Sequence, residues 1–72
     1  MDIRMKLGKR LRELRMNTGL SQEKFALKCG LDRTYIAGIE QGKRNISIES
    51  LEKIVIGLRI TVQEFFKSEI FE

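Results

Sequence analysis

A single residue, Leu31, separates Gly30 from Asp32. Glycine readily takes the left-handed conformation that closes a helix, and aspartate is a favoured helix N-cap. One helix therefore stops and another starts with almost no chain between them. The small residue Ala26 on the first of the two lets them approach closely.

The same punctuation recurs along the chain. Ile3, Leu7, Leu11 and Leu14 are spaced by 4, 4 and 3, which draws one apolar stripe down a first helix of about residues 3–17. Asn17-Thr18-Gly19 reads as its stop. Ser21 caps a second helix, with Glu23 in the first turn where the dipole favours negative charge, and Phe25, Ala26 and Cys29 turned inward. Asp32 opens a third helix holding Ile36 and Ile39. The polar run Gln41-Gly42-Lys43-Arg44-Asn45 reads as a loop. Ser47 caps a fourth helix bearing Ile48, Leu51, Ile54, Val55 and Leu58, and Thr61 caps a short fifth with Val62, Phe65 and Phe66. No alternating strand pattern, repeat or linker is visible. The expectation is an all-α, compact five-helix fold in one domain, 1–72.

At 72 residues there is no room for a second core, and a chain this short buries only about 60% of its unfolded surface. A partner subunit is attractive on that ground alone. Hydrophobic residues at 42% and charged residues at 33% argue against disorder, and no apolar run spans a bilayer. One cysteine, no histidine and no secretory-type leader suggest a cytoplasmic protein without a metal or other cofactor. The net charge of +4 is unevenly spread: residues 1–44 carry +6 and residues 45–72 carry −2. A basic amino-terminal part backed by an acidic tail suits a polyanion-binding face.

Two short helices with a tight glycine turn, over about 21–41, are the layout of a helix-turn-helix, whose second helix enters the DNA major groove. Leu11-x-x-Leu14-Arg15, Gly19-Leu20-Ser21-Gln22, Phe25-Ala26, Gly30, Ile36-x-x-Ile39-Glu40-x-Gly42-Lys43-Arg44-Asn45 and Leu51-x-x-Ile54 carry a wider likeness. With them the sequence resembles the lambda-repressor/Cro-like (Xre-type) helix-turn-helix transcriptional regulators over about residues 4–66. The run Leu31-Asp32-Arg33-Thr34-Tyr35-Ile36-Ala37-Gly38-Ile39-Glu40 is similar to the controller proteins of restriction–modification systems. Two positions depart from the pattern. Ile46 stands where proline is common, and Arg59 stands where a glycine usually caps the fourth helix.

Arg33, directly after the Asp32 cap, is placed to bind guanine O6 and N7 bidentately. Thr34 offers a hydroxyl to a base or a methyl to thymine, or is a plain first-turn residue. Ala37 and Gly38 are small on the exposed side and permit close approach to base edges. By resemblance Gln22 contacts phosphate or a flanking base, where free amides at the helix start favour an anion. Gln41, Lys43, Arg44 and Asn45 are the further phosphate candidates. Tyr35 either reaches a phosphate or packs over the helices. Arg15 and Glu40 correspond to family positions that form a structural ion pair.

Cys29 reads as a small buried hydrophobe. Glu49/Glu52 and Glu64/Glu69 have no nucleophile or metal ligand beside them, so an enzyme is not expected. Ile60, Val62, Phe65, Phe66, Ile70 and Phe71 are more apolar bulk than the end of so small a core absorbs, which marks about 58–72 as a dimerisation region centred on Ile60, Val62, Phe65 and Phe66. The reading is a homodimeric regulator on double-stranded operator DNA of inverted-repeat form, away from membranes, with RNA polymerase a candidate further partner. The rival is an antitoxin-like module that neutralises a protein partner and binds DNA secondarily.

Overall fold

Each helix begins where a side chain satisfies its first free amides. In a computed structural model covering residues 1–72, α1 spans Ile3–Thr18, α2 Gln22–Cys29, α3 Arg33–Glu40, α4 Ile48–Leu58 and α5 Val62–Phe66. A 3-10 turn at Glu69–Phe71 ends the chain, and there are no strands. Asp2, Ser21, Asp32, Ser47 and Thr61 are the N-caps. Thr61 and Glu64 form a reciprocal box: the Glu64 N–H donates to Thr61 Oγ1 at 3.0 Å, and the Thr61 N–H to Glu64 Oε1 at 2.9 Å. Ser47 has no such acidic partner and shares its hydroxyl with Ser50 Oγ at 2.9 Å.

Gly30 closes α2 at φ 71°, and the Leu31 N–H returns to the Ala26 carbonyl at 2.9 Å. That left-handed residue turns the chain sharply into α3. Around this pair α1 packs on α3, α2 on both α3 and α4, and α4 on α5, while the 3-10 turn folds back on α1. The core at their junction is Leu11, Phe25, Ile36, Ile39, Ile54 and Phe65, all fully buried. Gly8 sets how close α1 and α3 come, since a Cβ there would collide with the carbonyls of Ile39 and Glu40. At the α2–α4 crossing, a Cβ on Gly57 would stand 2.5 Å from Cys29 Sγ. Cys29 fills that niche, and burial pushes its thiol above the ordinary range, which favours the neutral thiol over the thiolate.

Arg59 is the one non-glycine residue with positive φ, at φ 59° and ψ 41°, where it ends α4. A side chain there meets a left-handed backbone that costs about 1–2 kcal/mol. Arg59→Gly should therefore stabilise the protein by about 1 kcal/mol, seen as a rise of roughly 4–8 °C in thermal midpoint at fixed protein concentration. An unchanged midpoint would show that the cap is not strained.

Candidate nucleic-acid interface

The cap of α3 decides what its first turn has left to offer a ligand. Asp32 Oδ1 accepts from the Thr34 N–H at 2.8 Å and from the Thr34 hydroxyl at 2.7 Å. These two bonds, the hydroxyl's first, hold the Asp32 carboxyl below the usual carboxylate range. The hydroxyl proton of Thr34 is thereby committed, which leaves its oxygen lone pair and its methyl facing out. Arg33, the first residue of α3, is exposed and makes no ion pair or hydrogen bond within the chain. Ile36 and Ile39 are buried behind it, and Ala37 is half-buried on the outer side.

The loop after α3 is folded against that helix. The Lys43 and Arg44 N–H groups both donate to the Gly38 carbonyl, at 2.9 and 3.3 Å. A Cβ on Gly38 would collide with the stem of Arg44, so this glycine seats the arginine rather than making room for a base. The Arg44 guanidinium then lies 5.1 Å from the Tyr35 ring centroid, a cation–π contact. Tyr35 OH donates to the Asn45 carbonyl and accepts from the Ser47 N–H, each at 3.2 Å. Its single proton is spent on bracing the loop. Of the two roles open to Tyr35, this geometry is the packing one. Gln41, Lys43, Arg44 and Asn45 remain exposed on that braced loop.

Glu40, the last residue of α3, has a side chain only 3% exposed. Arg15 grips it with both arms, Nε to Oε2 at 2.6 Å and Nη2 to Oε1 at 3.1 Å, and Arg15 Nη1 donates to the Leu20 carbonyl at 2.9 Å. Hydrogen bonding to Glu40 raises the Arg15 guanidinium still further above its ordinary value. Gln22 joins the cluster by donating its side-chain N–H to Glu40 Oε1 at 3.1 Å. The same carboxylate thus orients the first residue of α2 and the end of α3.

The expected dimer residues separate. Phe65 has no exposed area, so its placement at a partner surface is corrected: its ring is part of the hydrophobic core of its own subunit. Phe66 is half-buried, packed edge-on to Phe65 at 5.1 Å and against Phe71 at 4.9 Å. Ile60 is also half-buried, and only Val62 stands out, at 47%. Ile56 on α4, 68% exposed, is an apolar group that the helical spacing did not single out. Its position in the middle of an apolar run, Ile54 to Gly57, hides which of those residues faces out.

A family model described as helix-turn-helix matches residues 11–65. The control protein C.MunI from Mycoplasma sp is 53% identical over 66 residues, 90% of this chain and 89% of that protein. The restriction-modification controller protein C.AhdI from Aeromonas hydrophila has a similar structure, with TM-score 0.84 and 48% identity over 88% of this chain and 96% of that one. The controller protein C.Esp1396I, solved as a tetramer in complex with its natural 35 base-pair operator, gives TM-score 0.85 and 40% identity over 93% of this chain and 88% of that one. No helix of this chain is long and apolar enough to cross a membrane.

Removing one member of the buried pair should be costly. Glu40→Ala strands the Arg15 charge and is expected to cost about 3 kcal/mol in chemical denaturation, whereas the double variant Arg15→Met/Glu40→Leu should recover most of that loss. A single-variant cost no larger than that of a typical surface ion pair, below about 1 kcal/mol, would remove Glu40 from its anchoring role.

Proposed function

The chain belongs to the helix-turn-helix family of DNA-binding transcription regulators, and from that premise we propose that it is a homodimeric controller of restriction–modification genes acting on an inverted-repeat operator. The observation that carries this reading is the unpartnered Arg33 at the exposed start of α3, flanked by the braced cationic loop. Arg33 reads guanine through O6 and N7, while Thr34 and Ala37 offer a methyl or a small surface to neighbouring base edges. Gln22, Gln41, Lys43, Arg44 and Asn45 grip the backbone, with Tyr35 holding Arg44 and Asn45 at the right height. That division of work suits a protein whose register comes from phosphates and whose choice of sequence comes from few side chains. Occupancy of the operator raises or lowers transcription according to where the site lies relative to RNA polymerase.

A single recognition helix of this length touches too few base pairs to select one site among about 10⁶ competitors. Two copies related by a two-fold axis double the contacts and present paired helices about 34 Å apart, one turn of DNA. Val62, exposed on α5, with the half-buried Ile60 and Phe66 near it in the chain, supplies apolar surface for that association.

Two measurements test the reading. Arg33→Ala should weaken operator binding by roughly ten- to a hundredfold at the guanine-containing positions and leave circular dichroism and binding to unrelated DNA unchanged. Retained preference for the operator over scrambled DNA would remove Arg33 as a reader. Val62→Asp should sediment as a folded monomer with much weaker operator binding, because a carboxylate cannot be buried unpaired at the interface. A wild-type protein that stays monomeric at tens of micromolar and binds one copy per operator would overturn the dimer.

A further inference from the structure

α5 is only five residues long and cannot hold its own direction. Two features fix it. The Phe65 ring is buried in the core and acts as a pivot. At the carboxyl end, the Arg10 guanidinium reaches across from α1 and donates to three backbone oxygens around the helix end, those of Glu64, Phe65 and Lys67. Nε donates to the Phe65 carbonyl at 2.7 Å, and Nη2 to the Glu64 carbonyl at 2.9 Å and the Lys67 carbonyl at 3.3 Å. Nη1 is held in turn by Glu13 Oε1 at 2.9 Å, and the Arg10 side chain is only 14% exposed. A planar fork satisfies several diverging carbonyls at once and places positive charge at the negative end of the helix, which a lysine ammonium on a flexible stem does less well.

The other side of α1 is fastened to the recognition helix by the Arg15–Glu40 pair and by the close approach at Gly8. Taken together with the dimer reading above, on which it rests, we propose that Arg10 is a positioning residue for operator recognition: by locking α5 onto α1 it sets the distance and twist between the two recognition helices of the dimer, and so the half-site spacing the protein accepts. Without the clasp, α5 can swing about Phe65. The two reading heads would then no longer be held at one separation, although each would be intact.

The test compares wild type, Arg10→Met and Arg10→Lys on inverted repeats whose spacer is correct, one base pair shorter or one base pair longer. One added base pair turns a half-site by roughly 35° and moves it about 3.4 Å, so wild type should lose about tenfold or more in affinity on either altered spacer. Arg10→Met should bind all three within about threefold of one another and dimerise more weakly by sedimentation, yet bind an isolated half-site as wild type does. Arg10→Lys, which keeps the charge without the fork, should fall between. If Arg10→Met does not fold, Arg10→Lys carries the comparison: an affinity ratio between correct and altered spacers that falls by about threefold from the wild-type value supports the inference, and an unchanged ratio overturns it. Arg10→Met with wild-type dimerisation and wild-type spacing preference overturns the role of Arg10 and leaves the dimer standing. A wild-type protein with no dimer and no spacing preference overturns both.

Discussion

The carboxylate of Glu40 sits at the end of the recognition helix, out of water, where the helix dipole is itself unfavourable to negative charge. A buried carboxylate is tolerable only when paired and fully hydrogen-bonded. Arg15 from α1 supplies a two-armed partner, and Gln22 at the start of α2 supplies another donor. Because these donors come from two other helices, satisfying this one charge fixes where α3 ends relative to both. The angle between α2 and α3 that the Gly30 turn allows is thereby reduced to one value. The relative placement of every exposed side chain on α2 and α3 depends on that value.

The same accounting sorts the cations. Fourteen lysines and arginines stand against ten acids, but their number overstates what is free to meet a phosphate. Arg10 and Arg15 are spent on backbone carbonyls and buried or local carboxylates. Arg4 leans on Asp2 at 3.6 Å, whereas Arg44 is oriented by the Tyr35 ring and keeps its N–H donors free. Arg33 and Lys43 have no such partners and are exposed, Arg33 at the start of α3 and Lys43 in the loop that follows it. Net charge gives the protein a long-range attraction for polyanions, to which a cation already committed to a carboxylate or a backbone carbonyl offers few free donors.

Much of the fold was legible because the caps are local chemistry. Ser21, Asp32, Ser47 and Thr61 each bond to amides two or three residues away, so their positions alone bound the helices. Arg59 was visible for the same reason, as a side chain where a left-handed cap prefers none. Phe65 and Phe66 were both assigned to the interface, because on one and a half turns of helix neighbouring aromatics differ only in direction, and periodicity has too little length to choose between them. The Arg10 clasp was invisible because its acceptors are backbone oxygens more than fifty residues away, which carry no side-chain signature. Gly38 looked like room for a base and proved to be the seat of Arg44, a contact made by the following loop and not by the helix itself. Tyr35 was undecided for a similar reason, since both groups its hydroxyl meets are main-chain atoms of that loop.

α1 is the member through which these constraints are transmitted. Its two structural arginines are five residues apart, which places them about 7.5 Å along the axis and on different sides of the helix. One side grips the end of α3 and the other grips the end of α5. Gly8 lies two residues before Arg10 and lets the carbonyls of Ile39 and Glu40 rest directly on the α1 backbone. A glycine within a helix costs about 1 kcal/mol in propensity, and the close helix–helix contact it permits offsets that cost only if the neighbour stays in place. The Arg15–Glu40 pair keeps it there. The glycine and the ion pair are therefore one device, in which a weak point in α1 becomes the place where α3 is held most closely. This is why α1 governs how α3 is presented.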